Sequence, residues 1–255
     1  MKALRALTIG AGLLLAWQAI VSLTGVAHYI LPGPLRVGRA FVANVDLLLA
    51  HAAVTGAEII LGLLLGCILG CVSAILVASF PPARRWLLPV LVVSQAIPVF
   101  ALAPVLVLWL GYGLLSKVAM ATLIIYFPVT AAFFDGLRRT EPGWLDLART
   151  MGGNRARVLR HIRIPAALPA LSSGIRVATA VAPIGAVVGE WVGSSAGLGY
   201  FMLQANARLQ VDTMFAAMLL LALMAVTLYF SVDMALRLAL PWQAEDTGSV
   251  TQEPG

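Results

Sequence analysis

The chain has 255 residues, of which 61 % belong to the apolar set AVILMFWYC and 11 % are charged, with 17 Lys and Arg against 11 Asp and Glu. A soluble domain carries about 25 % charged residues, and a globule of this size still needs a polar coat. With a mean hydropathy of +0.95, the chain is not a soluble enzyme, a disordered chain or a disulfide-stapled secreted domain, and its long unbroken apolar runs exclude an alternating membrane β-barrel.

The fold class is therefore all-α and polytopic. A bilayer core takes about 20 apolar residues per helix. The first span is expected over residues 6–23, behind Lys2 and Arg5. It is longer than the apolar stretch of a cleaved signal peptide. The breaker cluster Leu31-Pro32-Gly33-Pro34 follows. Residues 34–51 then place Val37, Phe41, Val45, Leu48 and Leu49 near helical spacing between Arg36, Arg39 and Asp46, the pattern of a short helix at the membrane surface. Further spans are expected over 55–79, 87–110, 116–134, 170–192 and 213–240, six in all. The chain divides into a first helix with the N-terminus (1–30), an outer amphipathic segment (31–52), a five-helix core (53–240) with an intervening loop (138–165), and a polar tail (241–255).

Charge orients these spans. With the N-terminus inside, inner segments hold twelve Lys and Arg and outer segments hold Arg36, Arg39, Lys117 and Arg208, while Arg176 lies within the fifth span. Twelve against four is a positive-inside pattern, with both termini in the cytoplasm. Cys67 and Cys71 share a helix face without further ligands, so neither a metal site nor a redox motif is expected.

The longest polar stretch between spans starts at Asp135. Trp144, Leu145, Leu147, Ala148 and Met151 give its first helix an apolar face, and Gly152-Gly153-Asn154 bends the chain. A second helix over 155–164 puts Val158, Leu159 and Ile162 opposite four arginines, and Pro165 is expected to end it. Two short helices joined by a glycine turn suit docking to a partner. A basic loop that binds anionic lipid heads is the alternative.

Asp146-Leu147-Ala148, three residues, Gly152, nine residues, then Ile162-x-Ile164-Pro165 resembles the EAA loop of the membrane subunits of binding-protein-dependent ABC importers. Asp146 stands for Glu, Leu147 for the first Ala and Ile164 for Leu. Ile97-Pro98, Ala103-Pro104, Leu110-Gly111-Tyr112-Gly113 with Ser116-Lys117, and Gly189-Glu190-Trp191 with Gly197-Leu198-Gly199 are similar to the nitrate, sulfonate and taurine branch. The run from Phe133 to Thr140 is closer to the thiamine-precursor (hydroxymethylpyrimidine) group. The resemblance implies a six-span permease that pairs with a second copy of itself. It further implies a separate ABC ATPase in two copies, an extracytoplasmic binding protein that delivers the substrate, and location in the inner membrane. No phosphate-cradling G-x-x-x-x-G-K-[ST] is present, so ATP hydrolysis is expected elsewhere, and no cofactor or nucleic acid on this chain.

The resemblance places ATPase coupling at Asp146, Leu147, Ala148, Met151, Gly152, Ile162 and Pro165. Gly62, Gly66 and Gly70 recur every four residues and read as a helix-packing seam. Pro98 and Pro104 kink the third span, and Ser94 and Gln95 beside the first kink are candidates for a water-lined path. Arg176 at membrane depth needs a partner or a cavity. Glu58 near the outer start of the second span is expected to snorkel, and Glu190 near the outer end of the fifth is a candidate gate. The rivals are an ion-coupled secondary transporter, which needs matching repeats, and a membrane enzyme. The dispersed His28, His51 and His161 furnish no catalytic set.

Overall fold

The computed structural model describes residues 2–242, without the side chains of residues 2–7, 81, 87–88, 91–92 and 94–96. The polar tail expected after Pro241 therefore lies, from residue 243 on, outside the described residues. Among the described residues eleven α-helices follow one another: α1 (Lys2–Thr24), α2 (Pro34–Ala43), α3 (Val45–Ser79), α4 (Pro81–Ala96), α5 (Val99–Leu110), α6 (Leu114–Arg138), α7 (Pro142–Thr150), α8 (Arg155–Val158), α9 (Ile164–Gly193), α10 (Leu198–Ala207) and α11 (Val211–Ala239). Among the described residues four segments are long and apolar enough to cross a membrane: Val45–Ser79, Leu114–Arg138, Arg155–Gly193 and Val211–Ala239. Thr8–Thr24 and Val99–Leu110 are shorter apolar helices.

The glycine seam sets the core. A Cβ on Gly62 would meet the Ala121 Cβ at 2.5 Å, one on Gly66 would meet Ile125 at 2.5 Å, and one on Gly70 would meet Val129 at 2.9 Å. Both partner series ascend together, so α3 and α6 run in the same direction, at a distance that small residues alone permit. On its other side α6 meets α9 antiparallel: a Cβ on Gly174 would meet Ala132, one on Gly185 would meet Ala121, and Gly189 lies against Lys117. Three helices thus share a spine of Ala121, Ile125, Val129, Ala178, Ala182 and Ala186, all buried. Gly66→Leu is expected to destabilise the chain by about 1–3 kcal/mol through overpacking, read as a lower melting temperature in detergent. An unchanged melt would mean that α3 and α6 do not touch there.

The α4–α5 pair crosses beside this slab. Arg84 sits 6.0 Å from the Phe134 ring near the end of α6, while a Cβ on Gly193, at the end of α9, would meet Val107 and Tyr112. The expected third span is therefore two helices, 16 and 12 residues long, broken at Ile97-Pro98. Pro98 supplies no amide hydrogen and biases Ile97 away from helical backbone. Pro104 lies within α5.

Two boundaries differ from the sequence reading. The break expected near residue 52 falls inside α3, which starts at Val45. The amphipathic segment is thus the ten-residue α2, and Leu48 belongs to the long helix. Val37 and Leu48 pack together against Leu198, Phe201, Ala216 and Ala217 instead of lying loose at a surface. Pro165 does not end its helix. A π-helical turn over Leu159–Arg163 leads directly into α9, whose first turn holds Pro165. A proline is tolerated there, and the wider turn before it makes room for the ring.

Candidate functional site

The first site lies at the end of the bundle where α6 stops and α9 begins. α7 closes in a Schellman motif: Gly153 N–H donates to Ala148 O at 2.8 Å and Gly152 N–H to Arg149 O at 3.0 Å. Gly152 adopts φ +74°, a conformation suited to glycine. Asn154 then caps α8, its Oδ1 accepting from Arg157 N–H at 2.8 Å. Arg163 donates through Nε and Nη2 to Leu137 O at 3.1 and 2.9 Å, which ties the end of α6 to the π-helical turn.

These joints hold α7 away from α9 and leave a groove of about 840 Å³ between them. Leu147, Ala148, Met151, Gly152, Ile162 and Pro165 all line it, with Trp144 and Val158. The seventh residue of the coupling set, Asp146, is exposed and pairs with Arg149 at 2.9 Å. That pair is solvated on both sides, so it contributes little. Trp144, Leu147 and Met151 remain exposed. The apolar face of α7 thus forms one wall of a groove that belongs to this chain. Nothing lies within 4 Å of a Cβ on Gly152, but one on Gly153 would meet Ala148 O at 2.7 Å.

The second site lies at the opposite end. Glu190 near the end of α9 accepts from the Thr55 hydroxyl at 2.6 Å on Oε1, and from Gly199 N–H and Tyr200 N–H on Oε2. Thr55 Oγ1 in turn accepts from Leu198 N–H at 2.8 Å, and His51 Nδ1 from Gly197 N–H at 3.0 Å. The His51 ring stacks on Phe201 with centroids 5.0 Å apart. The N-terminal amides of α10, with their partial positive charge, thus close on an anionic side chain. Lys117 of α6 donates through Nζ to Tyr112 O and Gly193 O. Glu58, one turn along α3 from Thr55, lies beside Glu190 and Lys117. Glu58, Lys117 and Glu190 are each 1 % exposed.

The sequence missed this convergence. Glu58 does not snorkel, because it is buried beside Glu190 of α9 and Lys117 of α6, and Lys117, counted among outer charges, is internal. The available signal was three charged side chains near corresponding ends of three apolar spans, each requiring a partner.

Arg176 finds its partner across helices. Its Nε donates to Asp233 Oδ1 of α11 at 2.7 Å, and Arg237 Nε donates to Oδ2 at 2.9 Å. Asp233 is the one acid among residues 213–240, which was the signal for it. Arg176 and Glu190 lie on the same helix, fourteen residues apart, and do not meet. The side chains of Ser94 and Gln95 lie outside those described. Pro98 caps the start of α5.

Comparison with known proteins agrees with this architecture. Residues 62–243 match the model of the binding-protein-dependent transport system inner membrane component family. A probable ABC transporter permease protein of Haemophilus influenzae is 55 % identical over 91 % of this chain and 95 % of its own length. The formylaminopyrimidine transport permease protein ThiX of Halalkalibacterium halodurans is 35 % identical over 91 % and 92 %, and the riboflavin transport system permease protein RibX of Chloroflexus aurantiacus 39 % identical over 91 % and 87 %. Permeases named for aliphatic sulfonates and taurine match at lower identity. The fold matches a chain of the MetNI methionine ABC transporter in an inward-facing conformation, with a TM-score of 0.68 and 19 % identity over 77 % of this chain and 97 % of that one. The chain belongs to the binding-protein-dependent transport system inner membrane component family, as a permease of an ABC importer.

Proposed function

We propose that the groove between α7 and α9 receives the ATPase subunit, and that this end of the bundle faces the cytoplasm. One observation carries the reading: six of the seven residues that the family resemblance assigns to coupling line one exposed apolar groove. An apolar groove rimmed by Arg157 and His161 suits an amphipathic partner surface with acidic edges. The lipid-binding alternative requires no concave shape. The α4–α5 pair and α1 complete six spans, with both termini in the cytoplasm as the twelve-to-four charge split indicates.

Two copies of the chain with two ATPase subunits form the transporter, and a binding protein docks at the cluster end. The chain itself hydrolyses nothing and carries no cofactor. ATP-driven approach of the ATPases moves α7 and the start of α9, and alternating access follows. Glu190 belongs to the outer gate. Ser94, Gln95 and Pro98 keep their assignment to the path, and Arg176 joins α9 to α11 beside it.

The relatives named for formylaminopyrimidine and riboflavin share a flat, nitrogen-rich heteroaromatic cargo. They favour a pyrimidine-type solute over a sulfonate, taurine or nitrate for this chain. Mass spectrometry of the ligand that co-purifies with the partner binding protein tests this. A heteroaromatic mass is expected, and a sulfonate would overturn the assignment. Native mass spectrometry should show two permeases with two ATPases.

The orientation has its own test. With Cys67 and Cys71 replaced by alanine, Glu141→Cys and Ser195→Cys, both at exposed positions, should react with impermeant maleimide from opposite sides. Labelling of both from outside would refute the topology.

A further inference from the structure

α2 carries two apolar faces, and the core uses one of them. Val37, Ala40 and Phe41 turn that face into the cluster with Leu48, Leu198 and Ala217. Leu35, Gly38 and Val42 lie on the other side, where Leu35 is 66 % and Val42 74 % exposed. A helix set between core and water needs a single apolar stripe. α1 closes on the second face. Its Leu14 and Leu15 form with α2 an open groove of about 780 Å³, within the range of about 300–1,000 Å³ that ligand sites occupy. Gly38 makes the room, since a Cβ there would meet nothing within 4 Å.

The polar side chains of α2 are two arginines. Arg39 lines the groove, and Arg36, three residues before it, is its neighbour on the helix surface. Both are exposed, and neither makes an ion pair among the described residues. Gln18, the other polar side chain of the lining, donates through Nε2 to Ser22 Oγ at 3.0 Å. Leucine and valine walls with two guanidinium groups at one edge suit an occupant that is apolar along its length and anionic at one end. A small anion gains nothing from the walls, and a neutral apolar solute leaves the arginines without a partner. A guanidinium matches a phosphate through paired N–H donors.

We propose that the groove between α1 and α2 binds an anionic phospholipid, with one acyl chain along Leu14, Leu15, Leu35 and Val42 and the phosphate on Arg36 and Arg39. The lipid covers the second face of α2 and fills the space beside the contact of Trp17 with Phe215, whose rings lie 6.2 Å apart. The proposal needs α1 to lie in the bilayer and is independent of the ATPase and cargo readings.

The test uses the full-length chain in phosphatidylcholine bilayers that contain phosphatidylglycerol with a photoactivatable diazirine on one acyl chain. After illumination, mass spectrometry of the digest should place lipid adducts on residues 14–18 and 34–43, the two walls of the groove. Gly38→Leu fills the groove without a clash in the chain and should lower that yield by at least about fivefold, as overpacking of a site does. Arg36→Gln with Arg39→Gln should remove the preference for phosphatidylglycerol over a diazirine phosphatidylcholine, by about fivefold for each arginine. Unlabelled phosphatidylglycerol should compete, and millimolar inorganic phosphate should not. Adducts that avoid both helices, or a yield unchanged in Gly38→Leu, would overturn the proposal and give this face to a protein partner. Equal labelling of the wild type by the two lipids, or displacement by inorganic phosphate, would overturn it as well.

Discussion

Gly152→Trp is expected to reduce uptake at least about tenfold while the amount of chain in the membrane stays normal. The substitution has two effects that separate cleanly. A non-glycine residue at φ +74° costs about 1–2 kcal/mol, which loosens the turn between α7 and α8 without unfolding the spans. The side chain meets nothing in the chain itself within 4 Å of its Cβ, so the indole projects into the groove proposed to receive the ATPase. Losing about 1.4 kcal/mol of binding already gives a tenfold effect. Gly152→Ala carries the same backbone strain with little bulk and should fall between the two. Co-purification with the ATPase, measured beside vesicle uptake, reads both effects. Normal co-purification and uptake for Gly152→Trp would remove the groove from coupling and favour lipid contact. Asp146→Lys should act in the same direction more weakly, since its partner Arg149 is exposed.

Asp233→Ala is the second large effect. It leaves Arg176 and Arg237 facing one another without the carboxylate that both contact. Removing one member of a fully buried pair costs about 3–5 kcal/mol. Arg176 and Asp233 keep 23 % and 15 % side-chain exposure, so screening reduces this to about 1–3 kcal/mol. The melting temperature in detergent should fall, and Arg176→Met combined with Asp233→Leu should recover most of it. An Asp233→Ala chain that melts like the wild type would show that α9 and α11 are held by apolar packing alone.

Much of this architecture is written in local pattern. The Gly62, Gly66 and Gly70 period records a contact one residue type wide, and the contact is where the period puts it. The stretch from Leu147 to Pro165 marks residues that surround one groove, because a short helix, a glycine turn and a second helix leave few arrangements. Boundaries were less legible. Asn44 separates α2 from α3 without a strong breaker, so the amphipathic run reads straight through it. Pro165 reads as a stop, although a proline also fits a first turn. The joining of Thr55, Glu58, Lys117 and Glu190 was not legible, since these residues come from three helices and no local period relates them. Arg176 announced that it needed an acid, but sequence spacing cannot say which helix supplies it.

Because α9 follows the π-helical turn without a break, one rod joins the groove to the buried carboxylates. From Pro165 to Glu190 is twenty-five residues, or about 38 Å at 1.5 Å per residue. A lever of that length multiplies angle into distance: a tilt of a few degrees at the groove displaces its far tip by ångströms, enough to part a hydrogen bond. Pro169 and Pro183 lie within it, and they are the points where such a lever bends and loses stroke. Signalling between the two ends then requires no chain of relaying side chains, and stiffness along α9 is itself the quantity that determines how much of a movement at the groove reaches the buried carboxylates.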